Sequence, residues 1–206
     1  MTFGYWLFFI LTFILAPYDM LHYIYTKFEG GHSLYPVEYI QYLAHFHGDR
    51  DYFECHEILE EYWKQVDPGN KKSILVGFIQ LAVSNYHYRR GNLKGAKKTL
   101  ENALMIFSSQ KESIYSFGLN GHQLLLDVSQ RLSDITNSVP YKSNELPITD
   151  PILLKECQIA CYQKGFKWGN ESDLAIAEIV HRHKLRDRTS VINARFLAMK
   201  LRKDNG

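Results

Sequence analysis

The chain has 206 residues, enough to bury one sizeable hydrophobic core. Its composition, 46% apolar and 22% charged, is that of a globular protein and excludes a wholly disordered chain. A net charge of only +2 argues against a polyanion-binding protein, and three cysteines without a CxxC pair are typical of reduced thiols in a cytosolic protein rather than of a disulfide framework.

Residues 1–16 are almost entirely apolar. As a helix they would span about 24 Å, less than the roughly 30 Å hydrocarbon core of a membrane. A secretory signal would require positive charge before its apolar run, and this chain has none there. Three interpretations stay open for this stretch: a translated leader over residues 1–33, a membrane anchor over residues 1–25, and a cleaved signal. We favour the leader, because Glu29-Gly30-Gly31 can be encoded by a purine-rich ribosome-binding sequence and Leu34 by a UUG start codon.

Helical periodicity dominates the chain from Pro36, a residue suited to the first position of a helix. The predicted helices cover residues 36–46, 51–64, 71–90, 93–108, 121–136 and 151–165, with further helices after residue 172. Asp49 or Asp51 is expected to cap the second helix, and Thr149 or Asp150 the sixth. No segment alternates between apolar and polar residues with a period of two. The sequence therefore predicts an all-α, compact bundle of about six to eight helices with an apolar N-terminal stretch.

The predicted organisation is a helical core domain at 34–136, a linker loop at 137–149 and C-terminal helices with a basic end at 150–206. Gly77 and Gly95 fall inside predicted helices of the core, where each glycine costs about 1 kcal/mol relative to Ala. A close approach between helices is the expected compensation at both positions.

The helix at 51–64 carries His56, Glu57 and Glu60, followed by Trp63. Residues four apart share one helix face, so His56 and Glu60 are candidate metal ligands and Glu57 a candidate general base on a metal-bound water. The spacing HExxE differs from the HExxH of zinc proteases, because the position of the second histidine holds a glutamate. A metal site must therefore take further ligands from other helices.

Those further groups are expected to come from the neighbouring helices. If helices 51–64 and 71–90 pack antiparallel, Gln80 lies opposite His56 and His87 lies further along. His47 is a possible extra ligand, and Arg50, Arg89 or Arg90 could neutralise Glu57 or Glu60 in an ion pair. Together they would give a nitrogen and oxygen donor set suited to a divalent metal such as Zn, Fe or Mn. Two alternatives stay open: a buried hydrogen-bond network that fixes helix register, and a pocket that binds a small ligand without chemistry.

At this point the residues resemble a known family, the bacterial domain of unknown function number 309. The resemblance covers about residues 40–110 and rests on Tyr52-Phe53-Glu54-Cys55-His56-Glu57 through Glu60 and Trp63, on Gly77-Phe78-Ile79-Gln80-Leu81-Ala82, on His87, and on Gly91-Asn92-Leu93-Lys94-Gly95-Ala96. It implies a small helical bundle, found mostly in cytoplasmic bacterial proteins, with no established activity. It also implies a domain that starts near Tyr35.

Residues 84–104 look like one helix–glycine turn–helix unit of a tetratricopeptide protein, although at least three such units usually form a solenoid. The C-terminal residues 181–206 hold eight Lys and Arg against two Asp. No nucleic-acid-binding motif accompanies them, so a solvated helix face is the preferred interpretation and a nucleic-acid partner is not expected. The prediction is a cytoplasmic binding or interaction module with a possible protein partner. The alternative is a metal-dependent hydrolase using the His56-Glu57-Glu60 face, and membrane attachment is expected only if the N-terminus is an anchor.

Overall fold

The computed structural model describes residues 33–174 and 176–181. The predictions for residues 1–32, the apolar leader or membrane anchor, and for the basic end after residue 181 lie outside this part of the chain. Among the helices that are described, none combines the length and the apolar character needed to cross a membrane.

The all-α prediction is confirmed, because regular structure in the described residues is helical apart from one isolated antiparallel bridge between Leu119 and Ile148. The helices are α1 (Val37–His47), α2 (Tyr52–Val66), α3 (Ile74–Arg89), α4 (Leu93–Ser109), α5 (Lys111–Ser116), α6 (Gly121–Thr136), α7 (Pro151–Gln163) and α8 (Ala177–Val180). The short helix α5 was not predicted. Helix α3 begins three residues later than expected, because Asn70 accepts a hydrogen bond from the Lys72 amide and extends the turn before it.

The helix starts follow from capping side chains. Asp51 caps α2 by accepting a hydrogen bond from the amide of Glu54, whereas Asp49 binds the ring of His45 on α1. Asp150 caps α7, with Pro151 at the first helical position. Each cap satisfies amide groups that the first helical turn leaves without a partner.

Helix α1 is buried over most of its length and packs against α2 and α7. Two of its tyrosines are fully buried, and their hydroxyl groups donate hydrogen bonds to backbone carbonyls outside α1. Tyr39 donates to the carbonyl of Phe117, and Tyr42 to the carbonyl of Phe78. The ring of Phe78 lies 5.5 Å from Tyr39 and 5.1 Å from Phe107 of α4. These aromatic contacts join α1, α3 and α4 into one apolar core, to which α7 also contributes.

Helices α3 and α4 approach each other closely at Gly77, as the sequence predicted. A Cβ atom at this position would lie 2.7 Å from the Cε1 atom of Phe107. At Gly95 an added Cβ would lie 2.6 Å from the amide of Asn92, the cap of its own helix, and 3.1 Å from the ring of His87. Both glycines therefore allow contacts that a side chain would prevent.

Candidate functional site

A cleft with a volume of about 430 Å³ opens between α2, α3 and α4. Its polar wall is formed by His56 and Glu60 of α2, Gln80 of α3 and Asn102 of α4. With Trp63, which also lines the cleft, the structure thus brings together four of the residues selected from the sequence. It adds the amide of Asn102, from a helix that the sequence analysis had not connected with them.

The rest of the cleft is mainly apolar. Val76 and Ile79 of α3, Met105 and Ile106 of α4, and Trp63 of α2 line it, together with Lys71 from the turn before α3. Met105 is 65% exposed, which is high for a large apolar side chain. The cleft therefore combines an apolar surface with a few polar groups, the composition that small-molecule sites usually have.

Helix α2 places the side chains of His56, Glu57 and Glu60 so that one ligand atom of each lies within 4.8 Å of the others. The Nδ1 atom of His56 is 3.1 Å from Glu57 Oε1, and its Nε2 atom is 3.4 Å from Glu60 Oε2. When the imidazole is neutral and Nδ1 donates to Glu57, the lone pair of Nε2 lies beside Glu60. The Nζ atom of Lys64 lies 2.9 Å from the other oxygen of Glu60.

This arrangement forms because α2 has two different faces. Tyr52, Cys55 and Leu59 are fully buried against the bundle, while His56 and Glu60 lie on the adjacent stripe, about one quarter to one third exposed. A ligand or ion can therefore reach the polar stripe without any movement of the core.

Comparison with known proteins shows which family the chain is similar to. A family model described as "Domain of unknown function (DUF309)" matches residues 39–99. The chain is also 45% identical over 171 residues to the uncharacterized protein YpuF of Bacillus subtilis (strain 168), an alignment that covers 82% of this chain and 98% of the relative. The chain belongs to the DUF309 family. No solved structure matches this DUF309 protein.

Two of the predicted site residues of the DUF309 protein lie at the end of α3, and neither lines the cleft. The Nδ1 atom of His87 accepts a hydrogen bond from the amide of Asn92, and burial lowers the pKa of this histidine, as does the nearby charge of Arg90. The guanidinium of Arg90 lies over the ring of Tyr86, 5.0 Å from its centroid.

His47 also lies apart from the cleft. It is 1% exposed, its ring stacks on Trp168 with centroids 4.4 Å apart, and its Nδ1 atom is bonded to the carboxylate of Glu145. Burial lowers the pKa of His47 below its ordinary value, against the opposing effect of the Glu145 carboxylate. His47 is therefore neutral near pH 7, with its proton on Nδ1.

The sequence analysis suggested Arg50 and Arg89 as ion-pair partners of Glu57 or Glu60, but the structure uses both elsewhere. The Arg50 guanidinium binds the Glu145 carboxylate and donates to the carbonyls of Phe46, Asn144 and Asn170. Burial raises the pKa of Glu145, but hydrogen bonds from His47 and Arg50 outweigh it and hold that pKa below its ordinary value. We call His47, Arg50, Glu145 and Trp168 the C-terminal clasp, because they attach the segments around residues 145 and 168 to α1.

Sequence reasoning missed several members of both sites. The sequence could have identified Asn102, because it lies four residues before Ile106 and therefore on the same face of an amphipathic helix. The sequence could not have identified Glu145 and Trp168. Both lie in irregular segments, Glu145 98 positions and Trp168 121 positions after His47 in the chain.

Proposed function

We propose that this protein is a ligand-binding module whose ligand occupies the cleft between α2, α3 and α4. The observation that supports this proposal is the cleft itself: about 430 Å³, lined by apolar side chains with His56, Glu60, Gln80 and Asn102 on one wall. Small-molecule sites in proteins commonly have volumes of about 300–1,000 Å³ and this distribution of polar and apolar groups.

The lining determines the chemistry of the ligand. The amides of Gln80 and Asn102 each offer hydrogen-bond donors and an acceptor, while Val76 and Ile79 offer apolar contact. A suitable ligand therefore has an apolar body, with one end carrying groups that both donate and accept hydrogen bonds. A side chain of a peptide partner satisfies the same description, so the proposal includes an interaction module.

The experiment is a fragment screen followed by methyl NMR on the isoleucine and methionine side chains. We expect bound fragments to shift Ile79, Met105 and Ile106. Val76→Trp, which fills the cleft, should abolish these shifts. Val83→Trp is the matched control, because Val83 is a partly buried valine of the same helix outside the cleft lining, and it should leave binding intact. Fragments that bind both variants equally, or that shift only methyl groups elsewhere, would rule the cleft out.

The second candidate is a metal-dependent hydrolase in which His56 and Glu60 hold the metal and Glu57 acts as general base. The same cluster supports it, because the three side chains present ligand atoms within 4.8 Å of one another. The contact between Glu57 and His56 Nδ1 favours binding over catalysis, since a base in this position must first release the imidazole. Metal-dependent hydrolysis of esters or phosphoesters that disappears in Glu57→Gln would favour the hydrolase.

The proposal places the protein in the cytoplasm. Its three cysteines, Cys55, Cys157 and Cys161, are all free thiols buried in the core. Burial raises the pKa of each thiol, which suits inert core residues rather than nucleophiles.

A further inference from the structure

We infer that the outer side of α2 is a docking surface for the basic C-terminal segment of the same chain, residues 182–206. We call this surface the acidic face and define it by Glu54, Glu57 and Glu61. Docking there is separate from ligand binding in the cleft and does not require a ligand. Three observations support it: the charge of α2, the place where the described part of the chain ends, and the composition of the segment that follows.

Helix α2 carries the largest excess of negative charge among the described helices. It has four glutamates and one lysine, and that lysine, Lys64, contacts Glu60. Glu54, Glu57 and Glu61 follow one another at intervals of three and four residues, so their side chains form one stripe, opposite the buried side of the helix. Like charges at this spacing destabilise a helix, so a positively charged partner would stabilise α2 by relieving their repulsion.

The described part of the chain ends next to the start of α2. The Arg89 guanidinium donates to the carbonyl of Arg50, just before α2, at 2.7 Å, and to the carbonyl of Ile179 at 3.0 Å. Val180 is 6% exposed, so the chain is packed against the bundle one residue before the described part ends at His181. The 25 residues that follow would span about 80 Å if fully extended, whereas α2 is about 22 Å long. They can therefore reach every part of the acidic face.

The basic C-terminal segment has the composition that the acidic face requires. It holds eight Lys and Arg against two Asp, and apolar residues such as Phe196 and Leu197 are interspersed among the charges. Phe53 offers them an apolar contact, because it is only partly buried and lies four residues before Glu57 on the same side of α2. Attachment beside the surface raises the effective concentration of the segment there, so ion pairs that are individually weak suffice to hold it.

The test is NMR of the full chain with a nitroxide spin label on the cysteine introduced by Ser190→Cys. The label attaches only there, because the three native cysteines are buried. We expect it to broaden the amide signals of Glu54, Glu57 and Glu61 at low salt, relative to the same sample after reduction of the nitroxide with ascorbate. In 1 M NaCl, where the Debye length is about 3 Å, this broadening should disappear.

Charge reversal separates docking from mere attachment of the segment near α2. Glu54→Lys/Glu61→Lys should lower the ratio of docked to undocked chains about tenfold and so reduce the broadening at Glu57. Glu57 itself stays unchanged, so its contact with the cleft wall is kept. The matched control is Glu101→Lys/Glu112→Lys, which reverses two exposed carboxylates of α4 and α5 and should leave the broadening as it is in wild type.

The salt titration of the labelled chain decides the matter even if the charge-reversed variant does not fold. Docking is refuted if the acidic face shows no broadening, if the broadening persists in 1 M NaCl, or if a folded charge-reversed variant broadens as wild type does. A mixture of spin-labelled chains with unlabelled ¹⁵N chains tests for the other occupant, a second copy of the protein, and broadening in that mixture would overturn docking within one chain. Fragment binding in the cleft is read at Ile79 and Met105, so the two proposals can fail independently.

Discussion

Replacement of Arg50 by Met should destabilise the protein by about 3–5 kcal/mol, because it removes the hydrogen bonds from the guanidinium to three backbone carbonyls. Arg50 is 1% exposed and donates to the carbonyls of Phe46, Asn144 and Asn170, which lie in three different segments. Each buried carbonyl left without a partner costs about 1–3 kcal/mol. The lost pair with Glu145 adds less, because that side chain is 52% exposed.

A glycine at position 50 should offset part of this loss of stability by relieving backbone strain. Arg50 has a positive φ of 59°, a conformation that costs a non-glycine residue about 1–3 kcal/mol. Arg50→Gly removes the side chain and relieves this strain at once, so it should be less destabilising than Arg50→Met. Arg50→Lys keeps the charge but loses the planar fork, and should lie between Arg50→Met and wild type.

Two measurements check the effect of Arg50→Met. Urea unfolding gives the free energy of unfolding, and hydrogen exchange gives the protection of the Gly169 amide, which donates to the His47 carbonyl inside the C-terminal clasp. Lys142→Met is the control, because Lys142 is exposed in the same loop, and it should change stability by less than about 0.5 kcal/mol. A loss below about 1 kcal/mol in Arg50→Met, with Gly169 still protected, would refute the structural role assigned to Arg50.

Three further predictions concern the core and the clasp. Gly77→Ala should destabilise by about 1–3 kcal/mol in urea unfolding despite its better helix propensity, because the new methyl would lie 2.7 Å from Phe107 Cε1; an unchanged midpoint would contradict the tight packing. Burial lowers the pKa of His47, so the unfolded chain binds more protons and the free energy of unfolding should fall as pH drops below about 6.5; His47→Asn should flatten this pH profile. Asn85→Leu should stabilise by about 1–2 kcal/mol, since neither amide atom of Asn85 has a partner among the described residues, and a comparable loss in thermal unfolding would refute this.

The main helices could be predicted because their evidence is local. Apolar residues recur at helical spacing, and Asp51 and Asp150 mark two of the helix starts. The convergence of His56 and Gln80 also followed from local information, since a short turn joins α2 and α3 and the register can be counted outward from it. Helix α5 was missed because six residues are too few to show a periodic pattern.

The C-terminal clasp could not be predicted for the opposite reason. Arg50 meets Glu145 and Asn170 across 95 and 120 residues of chain, and both partners lie in irregular segments with no periodicity to fix their direction. The sequence offered Arg50 only as one of three arginines that could pair with Glu57 or Glu60. Its guanidinium instead contacts the loop segments at Asn144 and Asn170.

The exposure of His56 leads to a test of two hypotheses that the sequence left open for this residue. A polar network that fixes helix register should be buried, because burial makes its hydrogen bonds specific and their loss costly. His56 and Glu60 are 28% and 34% exposed, unlike His47 and Arg50, which are 1% exposed and do have that character. His56→Ala should therefore cost less than about 1 kcal/mol of stability, as exposed pairs do. A cost of several kcal/mol in metal-free protein would instead make the cluster structural.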